Sequence, residues 1–144
     1  MLKWASLAAV LLMVTGLLGQ FYTGHLFGRS PLAIGVQIAA AGLMIAARLA
    51  FGLRSFHAAA NPTAGGLVTS GPYKYIRHPI YAAVIYFVWA GALDRWSWVA
   101  IGCAAAVTVG GFVRMLAEER LVVARYPEYR DYQARVRRIV PYVL

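Results

Sequence analysis

Acidic residues are nearly missing from this chain: five Asp and Glu stand against fourteen Lys and Arg in 144 residues, a formal net charge of +9. Charge of either sign is sparse, at 13% of residues, where an ordinary soluble domain carries roughly 25%. A small soluble globule cannot present so apolar a surface, because a domain of this length leaves much of its area in water. The one cysteine, Cys103, excludes an internal disulfide, and with three scattered His it forms no metal cluster. Neither a Gly-x-Gly-x-x-Gly turn nor a phosphate loop is found, so a soluble nucleotide-binding fold has no support. Internal repeats and low-complexity tracts are lacking too. What is abundant is apolar: 61% of residues are hydrophobic, which excludes disorder. These features describe a small, basic, all-α integral membrane protein of one domain, residues 1–144.

Apolar runs predict about four membrane helices, over residues 4–22, 31–53, 80–93 and 96–113. The first holds 19 uncharged residues, about 28 Å of helix for a hydrocarbon core of about 30 Å. A cleaved signal peptide is the weaker reading, since only Lys3 precedes it and no Ala-x-Ala follows. The second opens at Pro31, which suits a first helical turn, and reaches residue 53 if Arg48 snorkels. The third is short at 14 residues, and Asp94-Arg95 leaves room only for a tight hairpin into the fourth. Trp89, Trp96 and Trp98 surround that turn as an interfacial aromatic belt would. Four spans place both termini on one side. Twelve basic residues then fall on that side and two, Arg29 and Arg95, on the other, so the positive-inside rule makes it cytoplasmic.

Two segments escape the lipid pattern, a loop within 54–81 and a tail over 114–141, and chemistry is expected there. The loop ends in a Gly71-Pro72 turn and a basic, aromatic stretch that enters helix three at Pro79. Arg77 and His78 fall at that helix's N-terminus, where free N–H groups favour an anion. Tyr73, Tyr75 and Tyr81 offer flat faces for a ring or a sulfonium cation. The combination suits a nucleotide-like ligand bearing a carboxylate; the same residues equally suit an anchor on anionic lipid. In the tail, Arg114 and Glu118 share a helix face at i,i+4, and Glu118 and Glu119 are the only acids near a basic surface. Residues 126–138 read as a basic, amphipathic helix lying on the membrane, as anchor or as lid.

Taken together, Leu67-Val68-Thr69-Ser70-Gly71-Pro72-Tyr73, Arg77-His78-Pro79-x-Tyr81, Glu118-Glu119 and Tyr129-x-x-Tyr132-x-x-Arg135-Val136 resemble the isoprenylcysteine carboxyl methyltransferase family, which is related to the membrane phospholipid methyltransferases. Leu53-Arg54-Ser55-Phe56 is similar to the entry of that family's cofactor loop. The resemblance implies S-adenosylmethionine (SAM) bound at the cytoplasmic face by Leu67, Val68, Tyr73, Arg77, His78, Pro79, Ile80, Tyr81 and Glu118. It further implies catalytic positions at Arg114 and Glu119, with the two glutamates interchangeable at this stage. Gly65 stands where the family's loop usually has His.

Methyl transfer from a sulfonium is an in-line displacement, so the protein positions the reactants and excludes water. A carboxylate or thiolate acceptor needs no base, and no His–acid pair is apparent for an amine. The expected activity is therefore methylation of a carboxylate or thiol on a lipophilic, isoprenylcysteine-like acceptor. Alternatives are N-methylation of a phospholipid or small amine, and a non-enzymatic four-helix transporter subunit. The transporter lacks the mid-membrane ionisable group that ion coupling uses. Nucleic acid is not an expected partner, because the cations lie where topology puts them. A second copy of the chain is left open as a wall of the pocket.

Overall fold

The computed structural model describes residues 2–52 and 67–143. The expected cofactor-loop residues Leu53, Arg54, Ser55, Phe56 and Gly65 lie outside the described residues. Among the described residues, five α-helices follow in order: α1 (Leu2–Tyr22), α2 (Pro31–Phe51), α3 (Pro79–Asp94), α4 (Trp98–Arg125) and α5 (Tyr129–Arg135), with a 3-10 turn at Gly71–Lys74 before α3. The all-α integral membrane architecture is as expected. α1, α2 and α4 are long and apolar enough to cross a bilayer, while α3 is a shorter apolar helix of 16 residues. Ser30 caps α2 by accepting from the Ala33 N–H, Pro31 opens it, and Gly52 at a φ of 66° ends it.

α4 departs most from the apolar pattern. It begins after Ser97 and runs 28 residues to Arg125, not to residue 113. That is about 42 Å, longer than a hydrocarbon core of about 30 Å. Arg114 marks where the apolar run ends, yet the residues after it, Met-Leu-Ala-Glu-Glu-Arg, are good helix formers with no Gly or Pro among them. Helix four therefore leaves the membrane as a rigid arm carrying Arg114, Glu118 and Glu119. The tail departs as well: its helix is only seven residues long, and its tyrosines Tyr129 and Tyr132 are buried. These two side chains pack on the protein, and the helix covers only part of the 126–138 expected.

Successive helices alternate in direction. α1 lies along α4 and α2 along α3, with α3 and α4 in contact. The start of α1, the end of α2, the start of α3 and the end of α4 consequently share one end of the bundle. α1 and α4 approach closely because of glycine: a Cβ on Gly16 would sit 2.6 Å from the Cys103 carbonyl oxygen, and one on Gly110 would sit 2.6 Å from that of Ala9. Small residues replace a hydrophobic driving force where lipid is as apolar as leucine. Two buried glutamines stitch backbone inside the membrane. The Gln20 amide donates to the carbonyls of Val88 (3.2 Å) and Ala100 (3.1 Å). Gln37 donates to those of Leu26 (2.8 Å) and Phe87 (3.1 Å), and accepts from the Gly28 N–H (3.0 Å). Trp89 Nε1 donates to Thr108 Oγ1 at 2.9 Å, joining α3 to α4.

The glycine crossing is open to test. In detergent-solubilised protein, Gly110→Val should lower unfolding stability by about 1–3 kcal/mol through overpacking. Gly102→Ala, whose Cβ meets nothing within 4 Å, should leave it unchanged or slightly higher. Equal stability of the two variants, measured by thermal or denaturant unfolding, would contradict the crossing.

Candidate functional site

At the shared end, the chain enters α3 through a fixed set of bonds. Gly71 adopts a φ of 57°, a left-handed value that suits glycine, and starts the 3-10 turn with Pro72 behind it. Tyr73 is buried with its ring centroid 5.7 Å from that of Phe51, and its carbonyl accepts from the Tyr132 hydroxyl at 2.5 Å. Burial pushes the Tyr132 phenol up to about 12, so it stays a neutral donor at physiological pH. Ile76 and Arg137 then pair as a parallel β-bridge. The N–H groups of Arg77 and His78 donate to the carbonyls of Arg137 (2.7 Å) and Arg138 (2.9 Å). Pro79, which has no N–H, opens the helix. The backbone amides expected to receive a ligand's anion at Arg77 and His78 are thus taken by the tail.

The anion expected there is supplied by the protein itself. Glu119 reaches from α4 to the start of α3 and is 5% exposed. Its Oε1 accepts from Arg77 Nε and pairs with Arg77 Nη2, both at 3.0 Å, and lies 3.0 Å from His78 Nε2. Its Oε2 accepts from Arg138 at 3.1 and 3.3 Å. The remaining Arg77 nitrogen donates to the carbonyls of Gln133 (2.8 Å) and Val136 (2.6 Å). One carboxylate therefore joins α3, α4 and the tail. Arg138 is the partner that local sequence reading does not reveal, since it stands 61 residues from Arg77 and belongs to no common periodicity.

One turn further along α3, a second cluster forms. Arg114 and Glu118, four apart on α4, pair at 2.9 Å. The Tyr81 hydroxyl donates to Glu118 Oε1 at 2.5 Å and accepts from Arg114 Nε at 2.6 Å. Arg114 is buried, whereas a quarter of the Glu118 side chain remains exposed. His78 and Tyr81 rings stand 5.9 Å apart, so the two clusters abut. Of the residues singled out by sequence, Arg77, His78 and Glu119 meet in the first cluster and Tyr81, Arg114 and Glu118 in the second. Tyr73 and Pro79 are buried, and Ile80 is half-buried at the head of α3. Leu67 and Val68 are half-buried in the non-helical segment before the turn, outside both hydrogen-bonded clusters.

The class so defined is a helical membrane protein with a paired acid–base cluster at one end of its bundle. Residues 31–129 match the family model for phospholipid methyltransferases. That match takes in well over half of the chain, and the chain belongs to this family of membrane methyltransferases. It is also 35% identical over 71 residues to Methanethiol S-methyltransferase 1 of Bradyrhizobium diazoefficiens, a match covering 49% of this chain and 24% of that protein. The chain thus spans about a quarter of that relative's length. No solved structure matches the chain. Membership in a methyltransferase family replaces the transporter reading, and both clusters fall in or beside the matched stretch.

Removing the Glu119 carboxylate leaves the buried Arg77 guanidinium without its acid, a loss that typically costs about 3–5 kcal/mol. Glu119→Ala should therefore destabilise the protein by that order and expose the tail to trypsin at Arg135 and Arg137. Unchanged stability together with unchanged tryptic resistance would show that the carboxylate does not hold the tail.

Proposed function

We propose that the chain is a SAM-dependent methyltransferase that methylates a thiol or carboxylate on a lipophilic, isoprenylcysteine-like acceptor. The observation that carries this reading is the second cluster, where Arg114, Tyr81 and Glu118 meet at the end of a membrane bundle. Its chemistry fits the cofactor: a partly exposed carboxylate suits ribose hydroxyls or an ammonium, a guanidinium suits a carboxylate, and tyrosine faces suit a ring or sulfonium. We assign Glu118, Tyr81 and the half-buried Leu67, Val68 and Ile80 to the cofactor side, with Tyr73 and Pro79 shaping its wall. Arg114 takes the catalytic role, holding an anionic acceptor in place. Glu119, which sequence placed in catalysis, becomes with Arg77 and His78 a positioning group, because its two oxygens already meet three cationic or imidazole partners.

When bound, SAM supplies a sulfonium methyl group that a carboxylate displaces in line directly, and that a thiol displaces as its thiolate after releasing its proton to water. The protein's part is to align the acceptor and keep water away. The His–acid pair that the sequence did not disclose does form, His78 Nε2 lying 3.0 Å from Glu119 Oε1; because Arg77 and Arg138 hold the same carboxylate, it is tied up as a clamp, which disfavours an amine that needs a base at the site. The relative's name supports thiol chemistry. The family's name keeps phospholipid N-methylation as the second reading. The excess of basic residues at the site end supports a cytoplasmic placement of the site and of both termini.

Calorimetric titration of the detergent-solubilised protein with S-adenosylhomocysteine tests the cofactor. Binding is expected, and Glu118→Ala should weaken it roughly tenfold, about 1.4 kcal/mol. Arg114→Ala should leave that affinity within a few-fold while lowering turnover. Absence of binding by folded wild-type protein would overturn the reading.

A further inference from the structure

The short helix of the tail carries two buried tyrosines, and the fold uses the hydroxyl of only one. Tyr132 donates its hydroxyl to the Tyr73 carbonyl at 2.5 Å. Tyr129, one turn earlier, is equally buried at 7% exposure, and its ring centroid lies 5.4 Å from that of Tyr132. Residues four apart share a helix face, and Gln133, four after Tyr129, gives its carbonyl to Arg77. Tyr129 therefore sits on the side of α5 that meets the clamp. Its hydroxyl has no partner among the described residues. The oxygen is not sealed in either, since the enclosed polar atoms without partners are those of Ser6, Gln20 and His25. A hydroxyl on a buried ring that makes no bond costs stability, and a ligand that supplied the bond would restore it.

Two more oxygens share this condition. Tyr73 is 6% exposed, and its hydroxyl also has no partner among the described residues. Glu118 takes the bonds from Tyr81 and from Arg114 on the same oxygen, Oε1, which leaves Oε2 open among the described residues. The three oxygens belong to one neighbourhood. Burial and then the Glu119 carboxylate hold the Tyr129 phenol above its ordinary range, with Tyr132 and Glu118 adding to the rise and Arg77 opposing it. Burial, Tyr132 and Glu118 raise Tyr73 in the same way, against Arg48. Glu118 is thus an electrostatic neighbour of both phenols, and both stay protonated at physiological pH. Glu119 is already filled by Arg77, His78 and Arg138, so Glu118 is the glutamate with an oxygen to offer.

Three open acceptor oxygens, one of them charged, match a cation that carries three N–H donors, and a primary ammonium is such a group. A carboxylate in the same place would meet Glu118 as a like charge. We propose that Tyr129 is a cofactor-binding residue whose hydroxyl, with that of Tyr73 and the open oxygen of Glu118, accepts from the ammonium at the amino-acid end of SAM. The tail then supplies a wall of the cofactor site in addition to closing the clamp. This assignment rests on the methyltransferase reading above for the identity of the ligand.

The test titrates the whole detergent-solubilised chain by calorimetry with S-adenosylhomocysteine, with its decarboxylated analogue, which keeps the ammonium, and with methylthioadenosine, which lacks the amino-acid end. Tyr129→Phe should weaken the first two about tenfold, or about 1.4 kcal/mol, and leave methylthioadenosine within about twofold. Without ligand, its unfolding temperature should equal or exceed that of the wild type, because no bond within the protein is lost. Tyr132→Phe should lower that temperature, and Tyr142→Phe, at an exposed position, should change neither affinity nor stability. A Tyr129→Phe protein that is less stable without ligand would make the hydroxyl structural and overturn the proposal. Unchanged affinity for S-adenosylhomocysteine, or an equal loss for all three probes, would overturn it too and leave the methyltransferase reading standing. A loss for S-adenosylhomocysteine with the decarboxylated analogue spared would overturn the ammonium contact in favour of the carboxylate. Absence of S-adenosylhomocysteine binding by the folded wild type would overturn the methyltransferase reading itself.

Discussion

The carboxylate of Glu119 holds the working end of this protein together. Three groups converge on it: Arg77 and His78 at the head of α3 and Arg138 in the tail. Taking that many charges out of water is costly, and the arrangement is tolerated only because nearly every donor finds an acceptor. The Arg77 guanidinium, for example, is completed by the Gln133 and Val136 carbonyls. With the clamp closed, the tail runs parallel to residues 76–78 and its Ile139 is buried, its carbonyl accepting from the Tyr86 hydroxyl. The cluster of Tyr81, Arg114 and Glu118 lies one helical turn from the clamp. Its geometry therefore depends on where the clamp sets the head of α3 against the arm of α4.

The membrane part is built differently. It has few polar contacts, and those it has are directional: two glutamines grip carbonyls of neighbouring helices, and glycines let α1 touch the backbone of α4. Close packing on the α1–α4 side contrasts with the gap between α1, α2 and α3, where alanines face one another. The α1–α4 side is thus closed by backbone contact, while the α1, α2 and α3 side presents an apolar pocket.

Much of this was legible in the residues themselves. Uncharged runs marked the helices because a bilayer demands length and apolarity and little else. Arg77-His78-Pro79-x-Tyr81 with the glutamate pair pointed to the family, and the same motifs marked the residues that meet at the site end. What stayed hidden depended on contacts between distant segments. Arg77 and His78 were read as an anion site at the helix start, and in the structure their side chains meet Glu119, 42 residues from Arg77 along the chain. The tail was read as a surface helix from its basic, amphipathic pattern. In the structure its tyrosines turn inward, because Tyr132 finds the carbonyl of Tyr73, 59 residues earlier. The apolar pattern of α4 stops at Arg114 while its helix propensity does not, which is why the i,i+4 spacing of Arg114 and Glu118 was readable beyond the expected span. Gln20 and Gln37 were passed over as neutral residues in apolar runs, where only the folded neighbours disclose what they bind.

The central claim is that the cluster around Tyr81 serves transfer of a methyl group to a lipid-soluble nucleophile. The most direct measurement incubates the protein in nanodiscs with methyl-labelled SAM and a linear alkyl thiol, and follows the label by mass spectrometry. The account predicts a labelled methyl thioether formed by the wild type and strongly reduced in Arg114→Ala. Label recovered on a phospholipid amine, or on no product while S-adenosylhomocysteine still binds, would contradict it.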